Sequence, residues 1–305
     1  MKKITKKLAA GLLPQLSADA NKYTRGTCEL VVGQPSYPGA GVLATMAATR
    51  MGVGYVCAYT CSEAAAALRV MQPSCVCWPF DTFAECDHPS SSRHPRAVVV
   101  GSGFATGEAS ADIVVDVLRH AQEPALVDGG GLAALATAEG AAALRERFVA
   151  GYPTVITPHG GEASRLLSTF DTADVQAARA HAKKQGAPEA AADALFIAQA
   201  FGVVCVLKGP DTYIADGNEE SVDDVMVLTC GTPALAKAGT GDVLAGSIGS
   251  LLACGMDPKD ACALGVFVHA RAGVLAAADS AELCVTTEDV LVHLPHAIRA
   301  LDRKL

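Results

Sequence analysis

The segment Lys237-Ala238-Gly239-Thr240-Gly241-Asp242-Val243-Leu244-Ala245-Gly246 runs a loop of small residues into an apolar, helix-like stretch. A junction of this kind leaves backbone N–H groups free at the positive end of a helix dipole, a natural seat for a phosphate. Asp242 stands beside that seat, and two roles are open to it. As a first-turn carboxylate it would stabilise the dipole by about 0.3–1 kcal/mol. As a general base it would accept a proton from a substrate hydroxyl attacking a phosphoryl group held by the loop. The loop is not of the G-x-x-x-x-G-K-[ST] type, because no Lys-Ser or Lys-Thr follows its glycines. Neither is there a dinucleotide fingerprint, since Gly101-x-Gly103-x-x-x-Gly107 misses that spacing by one residue.

The elements that would position this loop are legible as alternating patterns. Apolar, β-branched runs at 30–32, 53–58, 97–100, 125–127, 154–156 and 203–207 predict strands, and Ala-rich stretches at 40–51, 109–121, 141–148 and 187–201 predict helices. Uninterrupted apolar strands alternating with helices indicate an α/β fold with a mostly parallel sheet covered on both faces. After Lys208 the strand-like segments 212–215 and 225–229 leave no room for a crossover helix, which predicts an antiparallel edge. Helices are expected over 242–254, 258–277 and 287–301, and the Pro-, Ser- and His-rich stretch 87–95 reads as a polar loop.

Ligands of open parallel sheets bind beyond the carboxyl ends of the strands. Those places carry Gly33 with Tyr37-Pro38-Gly39-Ala40-Gly41, then Gly101-Ser102-Gly103, Asp128-Gly129-Gly130-Gly131, Thr157-Pro158-His159-Gly160-Gly161-Glu162 and Lys208-Gly209-Pro210-Asp211-Thr212. Recurrence of glycine, acid or His at equivalent strand ends points to a ligand crevice. His159 could contact a ligand or simply hydrogen-bond the loop; Glu162 could associate with magnesium or be a first-turn residue of the next helix.

The chain has 305 residues, 50% apolar and 5% aromatic, and a formal net charge of −8. That charge disfavours binding to nucleic acid or to an anionic membrane surface. The mean hydropathy of +0.29 raises the question of a membrane span, but the best run, 261–278, is interrupted by His269 and Arg271. His269 and Arg271 read as a packed or subunit-interface pair. Residues 1–20 read as a basic, variable surface tail rather than a secretory signal. Eleven cysteines without a C-x-x-C pair or zinc spacing are expected to be reduced, mostly buried thiols of a cytoplasmic protein. Cys75 and Cys77 suit alternate faces of a strand. His88, His94, His120, His181, His293 and His296 show no metal or triad spacing and are expected to be solvated or to cap helices.

Taken together, Tyr37-Pro38-Gly39-Ala40, Thr157-Pro158-His159-x-Gly161-Glu162, Val206-Leu207-Lys208-Gly209-x-x-Thr212 and 235–246 resemble the ADP- or ATP-dependent NAD(P)H-hydrate dehydratases of the ribokinase-like superfamily. The resemblance runs from Asn21 to Gly273 and implies one ribokinase-like domain over 1–305, a three-layer sandwich. It implies ADP-dependent dehydration of hydrated NADH or NADPH (NADHX, NADPHX) to NADH or NADPH, with ADP (or ATP) and Mg²⁺ as cofactors. Under it Asp242 activates the hydroxyl, and Gly239, Thr240 and Gly241 form the phosphate-binding anion hole. Lys208, Gly209, Pro210, Asp211 and Thr212 form the adenine-nucleotide strip, while Ala40, Gly103 and His159 line the hydrated nicotinamide nucleotide. It further implies a homo-oligomer, expected to be a tetramer, and a functional link to a separate NAD(P)H-hydrate epimerase.

The chain departs from the family pattern at Gly160, where proline is common, and at Gly129-Gly130, where an alanine-aspartate pair is common. Gly101-Ser102-Gly103 replaces a common Gly-Pro-Gly, and Asn21 stands where histidine is frequent. Glycine in place of proline is expected to loosen these loops. Two other readings fit the same motifs: an alcohol kinase for a vitamin precursor, and a catalytically silent sensor of adenylate or nicotinamide nucleotides.

Overall fold

The apolar runs form strands and the Ala-rich stretches helices, in a computed structural model that describes residues 1–85, 91 and 93–302. The first half of the chain comprises β1 (Lys2–Lys3), α1 (Lys6–Leu12), β2 (Thr27–Val31), α2 (Pro38–Arg50), β3 (Tyr55–Tyr59), α3 (Ser62–Met71), β4 (Val76–Trp78), β5 (Arg96–Val100), α4 (Glu108–His120), β6 (Ala125–Val127), α5 (Leu132–Leu135) and α6 (Ala138–Ala150). The second comprises β7 (Thr154–Ile156), α7 (Gly160–Leu167), α8 (Thr172–Lys184), α9 (Glu189–Phe201), β8 (Val204–Leu207), β9 (Thr212–Asp216), β10 (Met226–Leu228), α10 (Thr240–Ala253), α11 (Pro258–Asp279) and α12 (Thr287–Arg299). Of the loop read at 87–95, residues 87–90 and 92 lie outside the described residues.

The strands are apolar at successive positions because both faces are covered. In β5, Ala97 and Val99 enter one core and Val98 and Val100 the other; in β8, Val204 and Val206 part from Cys205 and Leu207 in the same way. Period-two alternation thus feeds two cores from one strand. Helices α2, α3, α10, α11 and α12 pack on one face and α4 to α9 on the other.

The sheet runs in the order β1-β10-β9-β8-β7-β6-β5-β2-β3-β4. From β4 to β8 every pairing is parallel, and β8-β9-β10 are antiparallel. The strand order reverses between β2 and β5, so the switch point where a parallel sheet opens a ligand crevice lies at their carboxyl ends. Gly33, Gly101 and Gly103 occupy those ends, and α10 lies over β5, β2 and β6.

The reading of 1–20 as a tail does not hold for its first half. Lys2 and Lys3 pair in parallel with Met226 and Val227, Thr5 caps α1, and Ile4 and Ala9 are buried. The lysine backbone can pair with the sheet while the charged side chains stay in water, which composition alone does not reveal. As a result β1, not the antiparallel pair, forms the sheet edge.

Helix α11 is, among the described residues, the one long and apolar enough to cross a membrane, and 72% of its apolar window is buried inside the fold. It is a core helix. His269 lies within it, buried, while Arg271 on the same helix is exposed.

Helices α2 and α10 touch closely because small residues line their contact. A Cβ added at Gly246 would lie 2.0 Å from the carbonyl oxygen of Ala44. Gly246→Ala must therefore push α10 off α2, and we expect a loss of about 1–3 kcal/mol, the usual cost of overpacking, measured by denaturant unfolding. A change within about 0.5 kcal/mol would show the contact to be slack.

Candidate active site

A buried aspartate sets the geometry of the rim. Asp128 follows β6, is 2% exposed, and accepts three hydrogen bonds: from the Thr157 hydroxyl at 2.6 Å, the Lys208 ammonium at 2.9 Å and the Ser102 hydroxyl at 3.0 Å. The donors come from the ends of β7, β8 and β5, so this one carboxylate joins consecutive strand ends. Burial by itself would lower the Lys208 pKa, but Asp128 and Glu162 outweigh it and hold the group charged.

Lys208 reaches the amino terminus of α10, where a Cβ on Gly241 would sit 3.4 Å from its Nζ. The helix begins after Gly239, whose φ of 93° is left-handed, a conformation glycine adopts without a Cβ penalty. Asp242 lies in the first turn of α10, as its dipole-stabilising role requires, but no side chain caps the helix. The Asp242 carboxyl is pushed up to about 7, first by burial and then by the Asp128 charge, against the pull of Lys208 and of a hydrogen bond from Ser102. An acid poised near neutrality suits proton transfer.

On one side of Asp242 lies a cavity of about 680 Å³ lined by Lys208, Gly209, Pro210, Thr212, Thr240 and Gly241 together with His159. Asp211 and Gly239, grouped with these by sequence, do not line it: Asp211 is exposed, and Gly239 packs against Leu43 and Thr287. The apolar part of the lining, Leu228, Leu235, Leu244 and Val266, and the polar Thr229 and Thr232 carried no sequence signal, because residues distant in the chain form a pocket only once folded. His269 also lines it. Burial lowers its pKa to about 4, leaving a neutral ring, and its Nε2 has no hydrogen-bond partner among the described residues.

On the other side, Ala40 and Gly103 meet. A Cβ on Gly103 would lie 2.9 Å from the Ala40 Cβ and 2.7 Å from the Tyr37 carbonyl oxygen. Gly103 adjoins Ser102, whose side chain acts on the Asp242 carboxyl, and Gly241 adjoins Asp242 and lines the cavity. Asp242 is thereby placed between the two groups.

His159 falls with the cavity rather than with Ala40 and Gly103. Its Nδ1 accepts the Gly161 N–H at 3.0 Å, and Glu162 accepts the His159 N–H at 2.8 Å, the two halves of a capping box on α7. Of the two roles open to Glu162, the structure shows the helix-capping one. Among the described residues no three His, Cys, Asp or Glu side chains could together hold a metal.

The loops expected to be loosened by glycine are tight where they matter. A Cβ on Gly130 would stand 1.9 Å from the Phe104 carbonyl, and one on Gly101 2.4 Å from the Asp128 carbonyl. Gly160, where glycine stands in place of proline, faces open space. Elsewhere, His293 is buried rather than solvated; it bonds Asp279 at 2.9 Å, a contact between different helices that sequence spacing hides.

Strand-end glycines at a switch point, an uncapped helix amino terminus and a poised carboxylate beside a nucleotide-sized cavity define a ribokinase-like α/β architecture. Solved structures share it: a ribokinase-like superfamily protein of Enterococcus faecalis (22% identical, TM-score 0.76, covering 99% of this chain and 97% of that one) has the same fold. The chain belongs to the NAD(P)H-hydrate dehydratase family, whose model matches residues 28–296. It is similar to the ADP-dependent (S)-NAD(P)H-hydrate dehydratase of Neisseria meningitidis, 34% identical over 83% of this chain and 78% of that protein. It is also similar in structure to the ADP/ATP-dependent NAD(P)H-hydrate dehydratase of Bacillus subtilis co-crystallised with ATP/Mg²⁺, with a TM-score of 0.79, 26% identity and 99% of each chain covered. Against the bifunctional NAD(P)H-hydrate repair enzyme of Thermofilum pendens, 32% identical, the match covers 95% of this chain but 53% of that protein, so the chain spans about half the length of such relatives.

The raised pKa of Asp242 has a consequence for stability. An acid whose folded pKa lies above its unfolded one contributes stability in full below about pH 4 and loses it as pH rises toward 7. Asp242→Asn should then be more stable than the parent at pH 8, by up to about 4 kcal/mol at 1.36 kcal/mol per unit, with the gain vanishing near pH 4. Thermal melts at both pH values measure this; equal melting temperatures at pH 8 would show Asp242 to be unstrained.

Proposed function

We propose that the protein dehydrates hydrated NADH and NADPH at the expense of ADP or ATP, restoring the reduced nicotinamide nucleotide and releasing phosphate. The observation that carries this reading is the position of Asp242, a near-neutral carboxylate between the 680 Å³ cavity and the contact of Ala40 with Gly103. The names of the family and of the similar enzymes support the substrate assignment.

An adenine nucleotide fits the cavity, since apolar walls there face Lys208 and the free amides of α10. When bound it supplies the phosphoryl group. Asp242 accepts the proton of the substrate hydroxyl, whose oxygen forms a bond to phosphorus as the bond between phosphorus and the nucleotide breaks. The Gly241 amide, at the uncapped start of α10, absorbs charge on the transferring group. The ring nitrogen lone pair then expels phosphate from C6, and loss of a proton from C5 restores the double bond. With no three-donor cage among the described residues, magnesium fits here as an ion held chiefly by phosphate and water oxygens, and no step is assigned to it.

Relatives named as bifunctional repair enzymes are about twice as long as the matched region. This supports a functional link with an epimerase that interconverts the hydrate isomers.

The test is NADH recovery by purified protein given ADP or ATP and hydrated NADH. We expect absorbance of the reduced ring to return with one phosphate per turnover, and Asp242→Asn to bind nucleotide while losing about 10²- to 10⁴-fold in kcat. A stable phosphorylated alcohol would mark a kinase. Binding without turnover would mark a sensor.

A further inference from the structure

The buried ion pair between Lys208 and Asp128 has no place in the adenine strip to which sequence resemblance assigns Lys208. The Lys208 Nζ is 2.9 Å from Asp128, and its side chain is 20% exposed against 3% for Asp128. Removing such a pair from water costs about as much as its attraction returns, so stability alone does not explain it. Its location is stranger. The ammonium lies next to Gly241 in the first turn of α10, where the helix dipole is positive and a cation is disfavoured. A cation and a helix amino terminus aimed at the same point repel each other until an anion sits between them. A second, independent group lies at the same cavity: the buried His269 ring lines it, and its Nε2 has no hydrogen-bond partner among the described residues.

We propose that Lys208 acts on the transferring phosphoryl group rather than on the adenine, and that Asp128 is the positioning residue that fixes it there. This rests on the phosphoryl-transfer reading given above. Asp128 does not touch substrate. It holds the Lys208 ammonium at the strand-end rim and accepts the Ser102 hydroxyl at 3.0 Å, and the Ser102 side chain lies close enough to Asp242 to lower its proton affinity. During transfer the hydroxyl proton passes to Asp242, the oxygen–phosphorus bond forms, and the phosphorus–nucleotide bond breaks. Lys208 keeps its proton and donates to a phosphoryl oxygen.

The groups facing Asp242 are Asp128 after β6, Lys208 after β8 and Ser102 after β5. Glu162 on α7 acts on Lys208, and His269 on α11 packs at Thr240. The charge of Asp128 raises the proton affinity of Asp242, while Lys208 and Ser102 lower it. Changes at the three partners should consequently move the acid limb of the kcat profile in opposite directions, which loss of packing would not do.

The experiment is the pH dependence of NADH recovery by the full chain with saturating ADP or ATP and hydrated NADH. Lys208→Gln should lower kcat by about 10²-fold or more, change the nucleotide KM less than tenfold, and move the acid limb to higher pH. Asp128→Asn should move it to lower pH. Ser102→Ala, a single-atom deletion that keeps the proposal testable if Asp128→Asn fails to fold, should move it to higher pH. Acid limbs that coincide with the parent's in Lys208→Gln and Ser102→Ala, or a Lys208→Gln variant that keeps kcat and loses only nucleotide affinity, would overturn the proposal. Absence of turnover by the parent would instead overturn the dehydratase reading itself.

Discussion

Everything at the carboxyl rim of the sheet answers to one buried carboxylate. Asp128 has almost no access to water, and an ionised group in such a place must be fully hydrogen-bonded and paired. The hydroxyls of Ser102 and Thr157 and the ammonium of Lys208 meet that demand, and each projects from a different strand end. Satisfying Asp128 therefore fixes the relative positions of the loops after β5, β6, β7 and β8. Asp242, arriving on α10 from the other side, finds a rim whose charges are already placed.

Glycine makes that rim possible. Strand-end loops usually keep side chains between them, but here Gly101 lies against the Asp128 carbonyl and Gly130 against that of Phe104. Close backbone approach brings the hydroxyls and the ammonium within reach of one carboxylate. The same device recurs below the site, where Gly246 lets α10 rest on the Ala44 carbonyl. Small residues in this chain serve proximity as much as flexibility.

The net charge of −8 gives no help to an anionic nucleotide, whose attraction must come from local groups. Uncapped amides of α10 and the paired Lys208 provide it. The aspartate between them is kept near neutrality by burial and by Asp128.

Much of the fold was legible along the chain. Uninterrupted apolar runs mark strands covered on both faces, and the expected strands at 97–100, 125–127 and 154–156 coincide with β5, β6 and β7 within a residue. The start of α10 and the place of Asp242 in its first turn were legible too, because a small-residue loop entering an apolar helix is a local pattern. So was the meeting of Ala40 with Gly103, through motif resemblance. The strand at Lys2–Lys3 was not, since its stability comes from pairing with a segment more than two hundred residues away. Asp128 was visible only as one acid among several strand-end residues, and His269 only as a histidine in an apolar helix.

The sequence by itself determined the alternation of strands and helices, the two-faced sheet and the chemistry available at each strand end, because these depend on residues that are neighbours in the chain. Tertiary structure alone decided that Lys208 pairs with Asp128 and that the Asp242 carboxyl is pushed toward neutrality. Each of these depends on burial and on charges brought together from distant segments, and neither is a property of local sequence.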